Sequence, residues 1–221
     1  MDYLVIPLLD SKSLQYVHSR LINNTVDWHD GRITAGNHAI DLKSNEQLYP
    51  SSPTAKDCES LIHKVILSNH LVKSYALIQR VHGLMFTRTG CNGGYGWHVD
   101  NPFISSGRRD LSFTIFISPI GDYEGGSLSF QSSGRQESFK LEAGEMILYP
   151  SSMLHSVRPV TCGERLVCVG WIQSYVRSVE DRLLLFELEA AARGLLLNHG
   201  RSDELDLIFQ VYSNAVRRLA S

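Results

Sequence analysis

The sequence predicts a mainly β protein, a double-stranded β-helix or jelly roll with helices at both ends. Three observations carry this. From about Leu77 to Tyr175 the chain is a series of short runs dense in β-branched and aromatic residues, a composition that fits a pleated, half-buried surface. The turns between them, "GD", "EGG", "SSG", "AGE" and "CGE", are frequent enough for roughly eight strands, the number in a jelly roll. On either side the apolar residues change to helical spacing.

Taken in order, "YLVIPLL" reads as a strand and "SKSLQYVHSRLIN" as a short amphipathic helix capped by Ser11 or Ser13. "DGRITAGNHAIDLKSNEQLYPSSP" is rich in Gly, Asn, Ser and Pro, and reads as loop with a little extended structure. A second helix is expected over "TAKDCESLIHKVILSN", with Thr54 near its start and Leu61, Ile62, Val65 and Ile66 at helical spacing. Core strands are expected in "YALIQRVHGLMFTR", "LSFTIFIS", "GSLSF", "QESFKL", "EMILYP", "MLHSVRPV" and "RLVCVGWIQSY". "SVEDRLLLFELEAAARG" then opens with the S-x-x-D capping pattern of Ser178 and Asp181, and is expected to stop at Gly194. "SDELDLIFQVYSNAVRRLA" places Leu205, Ile208, Val211, Tyr212, Ala215 and Leu219 on one stripe, which either covers a sheet or forms a homodimer contact. The chain thus divides into an N-terminal α/β extension over 1–76, a core over 77–177 and a C-terminal helical extension over 178–221.

Composition excludes some partners. A formal net charge of −2 over 221 residues gives no reason to expect nucleic acid or an anionic membrane surface. The longest apolar runs fall short of the roughly 18 residues a membrane span needs. Met1 is followed at once by Asp2, without a basic leader, so a cytoplasmic location is expected. The four cysteines show no C-x-x-C spacing and read as reduced, mostly buried thiols; Cys162 and Cys168 could face each other across a hairpin.

Chemistry enters with "GYGWHVDNP", residues 94 to 102. On a strand, His98 and Asp100 share a face and converge on one point. An H-x-D arises by chance in roughly one chain in two of this composition, and the pair can simply hydrogen-bond in a loop mouth. His155, in "MLHSVRPV", raises its meaning. Two histidines and a carboxylate on a rigid β scaffold match the facial triad of non-haem Fe(II) oxygenases. Arg165 is the fourth element. If Val160 to Gly163 form a hairpin turn, His155 and Arg165 nearly face each other. Alternation then points Arg165, Val167, Val169 and Trp171 inward, and Leu166, Cys168 and Gly170 outward under helices. A buried arginine needs a partner, and a 2-oxo acid's carboxylate would serve; the plain alternative is an ion pair with Glu164 or Glu145.

The order "HVD", "H", "R", with "DLSFTIFIS", "DYEGGSLSF", "AGEMILYPSSMLHSVRPVTCGER" and "WIQSYVRS", closely resembles the PKHD-type subgroup of Fe(II)- and 2-oxoglutarate-dependent dioxygenases, relatives of prolyl 4-hydroxylase. "DGRITAG" with "LKSNEQL", and "RLLLFELEAA", extend the resemblance over nearly the whole chain. It implies Fe(II) held by His98, Asp100 and His155, and 2-oxoglutarate with its distal carboxylate on Arg165. It further implies O2 as oxidant, L-ascorbate to keep the iron reduced, and release of succinate and CO2. The substrate would be a peptidyl proline or lysine, or a small molecule.

One departure stands out. Related sequences often carry tyrosine where "FTRTG" has Thr89. Tyr95 or Tyr149 can supply a phenol to the co-substrate instead, or each can be a core aromatic; Tyr95 is the residue assigned to cofactor binding. "NPFISSGRRD" reads either as a solvated loop or as a substrate loop whose Arg108 and Arg109 reach an anionic group. Trp97 and Trp171 either wall the site or merely pack. His18, His29, His38, His63, His70, His82 and His199 read as surface or core histidines. Two other functions compete: a non-catalytic, cupin-like metal- and ligand-binding sensor, and a zinc hydrolase. Arg165 beside an open metal site argues against the first, and the missing H-E-x-x-H helix against the second.

Overall fold

The computed structural model describes residues 3–34, 40–132 and 134–221, the side chain of residue 132 excepted. The chain opens with β1 (Leu4–Pro7), α1 (Ser11–Ile22), β2 (Trp28–Asp30), β3 (Lys43–Ser44), β4 (Glu46–Leu48), α2 (Pro53–Ser68) and α3 (His70–Ala76). Next come β5 (Ile78–Thr89), β6 (Gly94–His98), β7 (Phe103–Ile104), β8 (Gly107–Arg108), β9 (Leu111–Phe116), β10 (Tyr123–Gly125) and β11 (Leu128–Ser132). β12 (Arg135–Phe139), β13 (Glu145–Pro150), β14 (Leu154–Val157), β15 (Val160–Gly163) and β16 (Arg165–Ser174) complete the strands, and α4 (Val179–His199) and α5 (Asp203–Leu219) end the chain. A seven-stranded antiparallel sheet in the order β1-β13-β9-β16-β5-β4-β2 faces a five-stranded one in the order β12-β11-β14-β6-β3. This is the jelly roll that the sequence predicts.

The period-2 alternation of β16 sorts its residues between two cores. Val167 packs inside the sandwich with Phe116, Leu128, Phe130, Ile147 and Tyr149. Leu166 and Cys168 point the other way, into a larger cluster with Val17 and Leu21 of α1 and Cys58, Ile62 and Ile66 of α2. Helices therefore cover the outer face of the large sheet, as the alternation implies. Burying a Leu, Ile or Phe contributes about 1.5–3 kcal/mol each, so this double-sided burial fixes the register of β16 firmly.

Several boundaries differ from expectation. Asp10, not Ser11 or Ser13, caps α1, accepting from the Ser13 amide at 2.7 Å. Ser52 caps α2, with Pro53 at the first helical position where its missing N–H costs nothing. Asn69 then starts a further short helix, α3, because its side chain accepts from the Val72 amide and renucleates the chain. α4 starts at Ser178, which accepts from Asp181 as expected, but it runs through Gly194 and ends at Gly200, φ 77°. A lone helical glycine costs only about 1 kcal/mol, too little to stop a helix that continues into the good helix formers Leu195, Leu196 and Leu197. Val211 is 59% exposed, whereas Leu205, Ile208, Tyr212, Ala215 and Leu219 of the expected stripe are at least partly buried. Cys58 and Cys168 are buried, Cys91 and Cys162 exposed, and all four are free. Cys162 and Cys168 thus form no pair.

The largest correction concerns Val160 to Gly163. This segment is not a turn but a strand, β15, paired with β10. Pro159 blocks continuation of the β14 ladder, and the chain crosses from the small sheet to the large one. His155 and Arg165 consequently lie on opposite sheets.

Gly83 shows how tightly the large sheet is fitted. It has φ 66°, and a Cβ there would sit 2.8 Å from Trp171 Cε3. Gly83→Ala is expected to destabilise the protein by about 1–3 kcal/mol through backbone strain and displacement of the indole. Thermal unfolding checks this; an unchanged midpoint would remove Gly83 as the reason Trp171 stands where it does.

Candidate active site

The two sheets enclose a cavity that contains every one of the four residues singled out in the sequence. His98 ends β6, and His155 in β14 is its register partner, so the small sheet delivers both imidazoles side by side, ring centroids 4.2 Å apart. His98 Nδ1 is 2.8 Å from the Gly96 carbonyl and His155 Nδ1 is 2.9 Å from the Met153 carbonyl. A carbonyl only accepts, so both Nδ1 atoms carry the proton and both Nε2 lone pairs are left for the cavity. Burial first, and the neighbouring His155 second, push the His98 pKa down to about 4. Its imidazole is neutral at neutral pH.

Asp100 reaches the same point by a different route. β6 stops at His98, so strand alternation does not hold Asp100 in place. The opposite sheet does. Its Oδ2 accepts from Ser112 of β9 at 2.6 Å and from the Trp171 indole N–H of β16 at 2.9 Å. Ser112 Oγ also lies 2.8 Å from Ser151 Oγ; its single proton goes to the carboxylate, and Ser151 donates to it. Oδ1 is then the oxygen left for a ligand. The donor atoms of His98, Asp100 and His155 lie within 4.8 Å of one another, a borderline-hard set of two imidazoles and one carboxylate that suits a divalent transition metal.

Arg165 opens β16 opposite Thr89 of β5 and is 2% exposed. Its Nε and Nη2 are buried without a hydrogen-bond partner. No acid answers it: neither Glu164 nor Glu145 pairs with it among the described residues. Its polar neighbours are the phenols of Tyr123 and Tyr149, and burial pushes its pKa down against their opposing effect. The Tyr123 hydroxyl is itself buried, makes no hydrogen bond of ordinary geometry and faces the same guanidinium closely enough to act on its charge. Sequence reasoning missed Tyr123; the signal was a lone phenol in "DYEGG", where the glycine Gly126 lets the chain approach Arg165 Cδ, a Cβ at Gly126 lying 3.0 Å from it.

The remaining candidates sort by contact. Tyr95 stacks on the His98 ring at 3.6 Å, so its ring walls the triad. Tyr149 is buried edge-on to His155 at 5.2 Å, and burial holds its phenol far above the usual range. Trp171 lines the cavity, whereas Trp97 lies under the Arg158 guanidinium at 6.0 Å, away from it. The segment after the triad strand is neither featureless nor free. Arg108 Nε donates to Asp110 at 2.7 Å and its Nη2 to the Ser174 carbonyl at 2.7 Å, while His82 Nε2 donates to the Arg108 carbonyl at 2.9 Å. Arg108 is thereby turned away from the cavity and Arg109 into it. His38 lies outside the described residues. No helix among the described residues is long and apolar enough to cross a membrane.

The fold and the triad together define a class. Residues 84–173 match the family model of the 2OG-Fe(II) oxygenase superfamily. A PKHD-type hydroxylase of Synechococcus sp. (strain CC9902) is 54% identical over 220 residues, covering 100% of this chain and 99% of the relative. The chain therefore belongs to the PKHD-type hydroxylases of that superfamily, and is a dioxygenase that uses Fe(II) and 2-oxoglutarate. Among solved structures, a prolyl-4-hydroxylase from Pseudomonas putida shares the fold at TM-score 0.56 and 16% identity, over 78% of this chain and 92% of that one. So does SnoK, a carbocyclase from nogalamycin biosynthesis, at TM-score 0.60 and 11% identity, over 79% and 80%. Two such different reactions on one fold leave the substrate to the pocket.

The bond from Trp171 to Asp100 is directly testable. Trp171→Phe keeps a ring but removes the N–H, and is expected to weaken Fe(II) or Mn(II) binding by about 10- to 100-fold. Anaerobic metal titration measures it; unaltered affinity would mean that Ser112 alone orients the carboxylate.

Proposed function

We propose that His98 Nε2, Asp100 Oδ1 and His155 Nε2 hold the Fe(II), and that Arg165 with Tyr123 receives the distal carboxylate of 2-oxoglutarate. The observation that carries this is a buried guanidinium with two unbonded nitrogens, in the same cavity as three converging metal donors. Such a group strongly favours a planar, bidentate carboxylate partner. When bound, the metal and co-substrate supply the oxidative chemistry, consuming O2 and 2-oxoglutarate to give succinate, CO2 and a hydroxylated substrate.

The protein's own part is placement. The Gly96 and Met153 carbonyls fix the imidazole tautomers, and Ser112 and Trp171 turn one carboxylate oxygen towards the metal. Tyr95 serves the co-substrate from the wall of the triad, where its ring shields the His98 edge. Tyr123 supplies the phenol that Thr89 cannot. Ascorbate serves as the reductant that returns oxidised iron to Fe(II), and the enzyme acts in the cytoplasm, independently of nucleic acid and membrane. The metal and co-substrate residues all lie within 77–177, the segment 1–76 completes both sheets with β1 to β4, and in 178–221 the α4–α5 pair provides the surface for a homodimer.

The test is succinate formation by the anaerobically purified protein given Fe(II), 2-oxoglutarate, ascorbate and O2, with and without cell extract. Activity lost in His98→Ala and in Arg165→Ala is the expected result. Succinate formed at the wild-type rate by either variant would refute the assignment.

A further inference from the structure

The cavity carries more positive charge than the iron chemistry uses. Resting on the site assignment above, the charges of Fe(II), Asp100, 2-oxoglutarate and Arg165 sum to zero. Two cations remain. Lys43, on the two-residue strand β3, is 6% exposed and projects into the cavity. One ammonium proton goes to Thr34 Oγ1 at 2.8 Å, and Nζ stands 5.0 Å from the centroid of the Tyr95 ring, the ring that stacks on His98. Arg109 reaches the cavity from the opposite wall. Its guanidinium lies 3.6 Å from the Trp171 ring centroid, and its Nε is buried without a hydrogen-bond partner.

Neither cation has a carboxylate bonded to it among the described residues. Asp100 is the acid that both feel; Lys43 also feels the repulsion of Arg109 and, as its smallest influence, the attraction of Asp30. With Asp100 committed to Ser112, Trp171 and the metal, that attraction is largely spent. Two cations facing one cavity without an anion bonded to either are held there against their own desolvation, and Lys43 also against the charge of Arg109. Desolvation is strong enough to bring the Lys43 pKa down to about 8. An anion between them would relieve both costs. Their aromatic platforms matter too: Tyr95 and Trp171 hold the two heads in place, so little side-chain freedom is lost on binding.

We propose that Lys43 and Arg109 form an anion subsite beside the metal, which recognises a carboxylate on the substrate close to the carbon that is hydroxylated. The substrate is then a carboxylate-bearing compound, such as a free amino acid, another small organic acid or the C-terminal residue of a peptide. An internal proline or lysine of a protein chain has no such group and would leave both cations uncompensated.

The test uses acetate as the probe and does not need turnover. The protein is loaded with Mn(II) and saturating 2-oxoglutarate without oxygen, and paramagnetic relaxation of 13C-acetate is measured, with acetamide and methyl phosphate in parallel. Wild type is expected to relax acetate strongly and acetamide hardly at all. Lys43→Met and Arg109→Met should each reduce the acetate effect by about tenfold, the usual cost of one charged hydrogen bond. Arg109→Lys should recover part of it, which a folding defect would not. Equal relaxation of acetate in wild type and both variants would overturn the subsite, as would relaxation by methyl phosphate alone. If the variants instead lose 2-oxoglutarate affinity as Arg165→Met does, the cations serve the co-substrate and this proposal is wrong. Failure to bind Mn(II) or 2-oxoglutarate at all, seen first in the same samples, would strike the site assignment rather than the subsite.

Discussion

Arg165→Met is expected to raise the melting temperature of the cofactor-free protein while abolishing its response to 2-oxoglutarate. The two effects have opposite signs because they belong to different states. Without co-substrate, the guanidinium is buried with two unbonded nitrogens beside the Phe116 ring, its centroid 5.2 Å away. Replacing a buried, imperfectly answered charge by an apolar chain of similar length typically stabilises by about 1–4 kcal/mol. With co-substrate, the same charge accepts a carboxylate, and its loss costs about 2–5 kcal/mol of binding, hence about 30-fold or more in affinity. In wild type, 2-oxoglutarate at about a hundred times its Kd adds roughly 2.7 kcal/mol to stability. Thermal unfolding with Mn(II), with and without 2-oxoglutarate, reads both effects. A variant that melts lower yet keeps the ligand-induced rise would show that Arg165 is a structural residue.

Asp100→Asn should lower metal affinity and succinate formation by more than about a hundredfold, beyond the range of outer-shell changes. The substitution is nearly isosteric, so the reason is orientation as well as charge. Ser112 and the Trp171 N–H both donate to Oδ2. An amide in that place must turn its oxygen to the two donors, which directs its NH2 group towards the metal position. Nitrogen of an amide carries no available lone pair for a cation. Anaerobic Fe(II) titration and single-turnover succinate measurement check this. Asp100→Glu keeps the charge but moves it by one methylene, and partial recovery there would implicate charge; full activity in Asp100→Asn would remove the carboxylate from the site.

The residues legible in the sequence were those whose chemistry is unusual for their setting. His98, Asp100 and His155 are polar groups inside β-type runs, and Arg165 begins a run that is otherwise apolar. Strand content was legible through turn chemistry, and the two-sided burial of β16 through its alternation. The path between sheets was not. "VRPVTCGER" has the appearance of a hairpin, but Pro159 removes a ladder donor and β15 finds β10 instead of β14. Lys43 was equally hidden. A strand of two residues has too few positions to display a period, so its side chain's direction is set only by pairing with Tyr95 and Gly94. Gly194 misled because a glycine after an apolar run signals a helix end only when the backbone there turns left-handed, and here Gly200 makes that turn.

The position of β16 has a consequence for how the protein is made. It lies between β9 and β5, and joins two half-sheets whose strands, among the described residues, pair with each other only through it. β1, β13 and β9 form one half, and β5, β4 and β2 the other, and both exist in the nascent chain before residue 165. Until β16 emerges, each half presents an unpaired edge, the β9 edge strongly apolar and the β5 edge mixed, and such edges seed misassembly. Closure depends on contacts of high sequence separation, so folding is slow relative to helical domains. Trp171, which orients Asp100, arrives with the same strand. The second of the two donors that hold Asp100 is therefore in place only once the strand through residue 174 has joined the sheet.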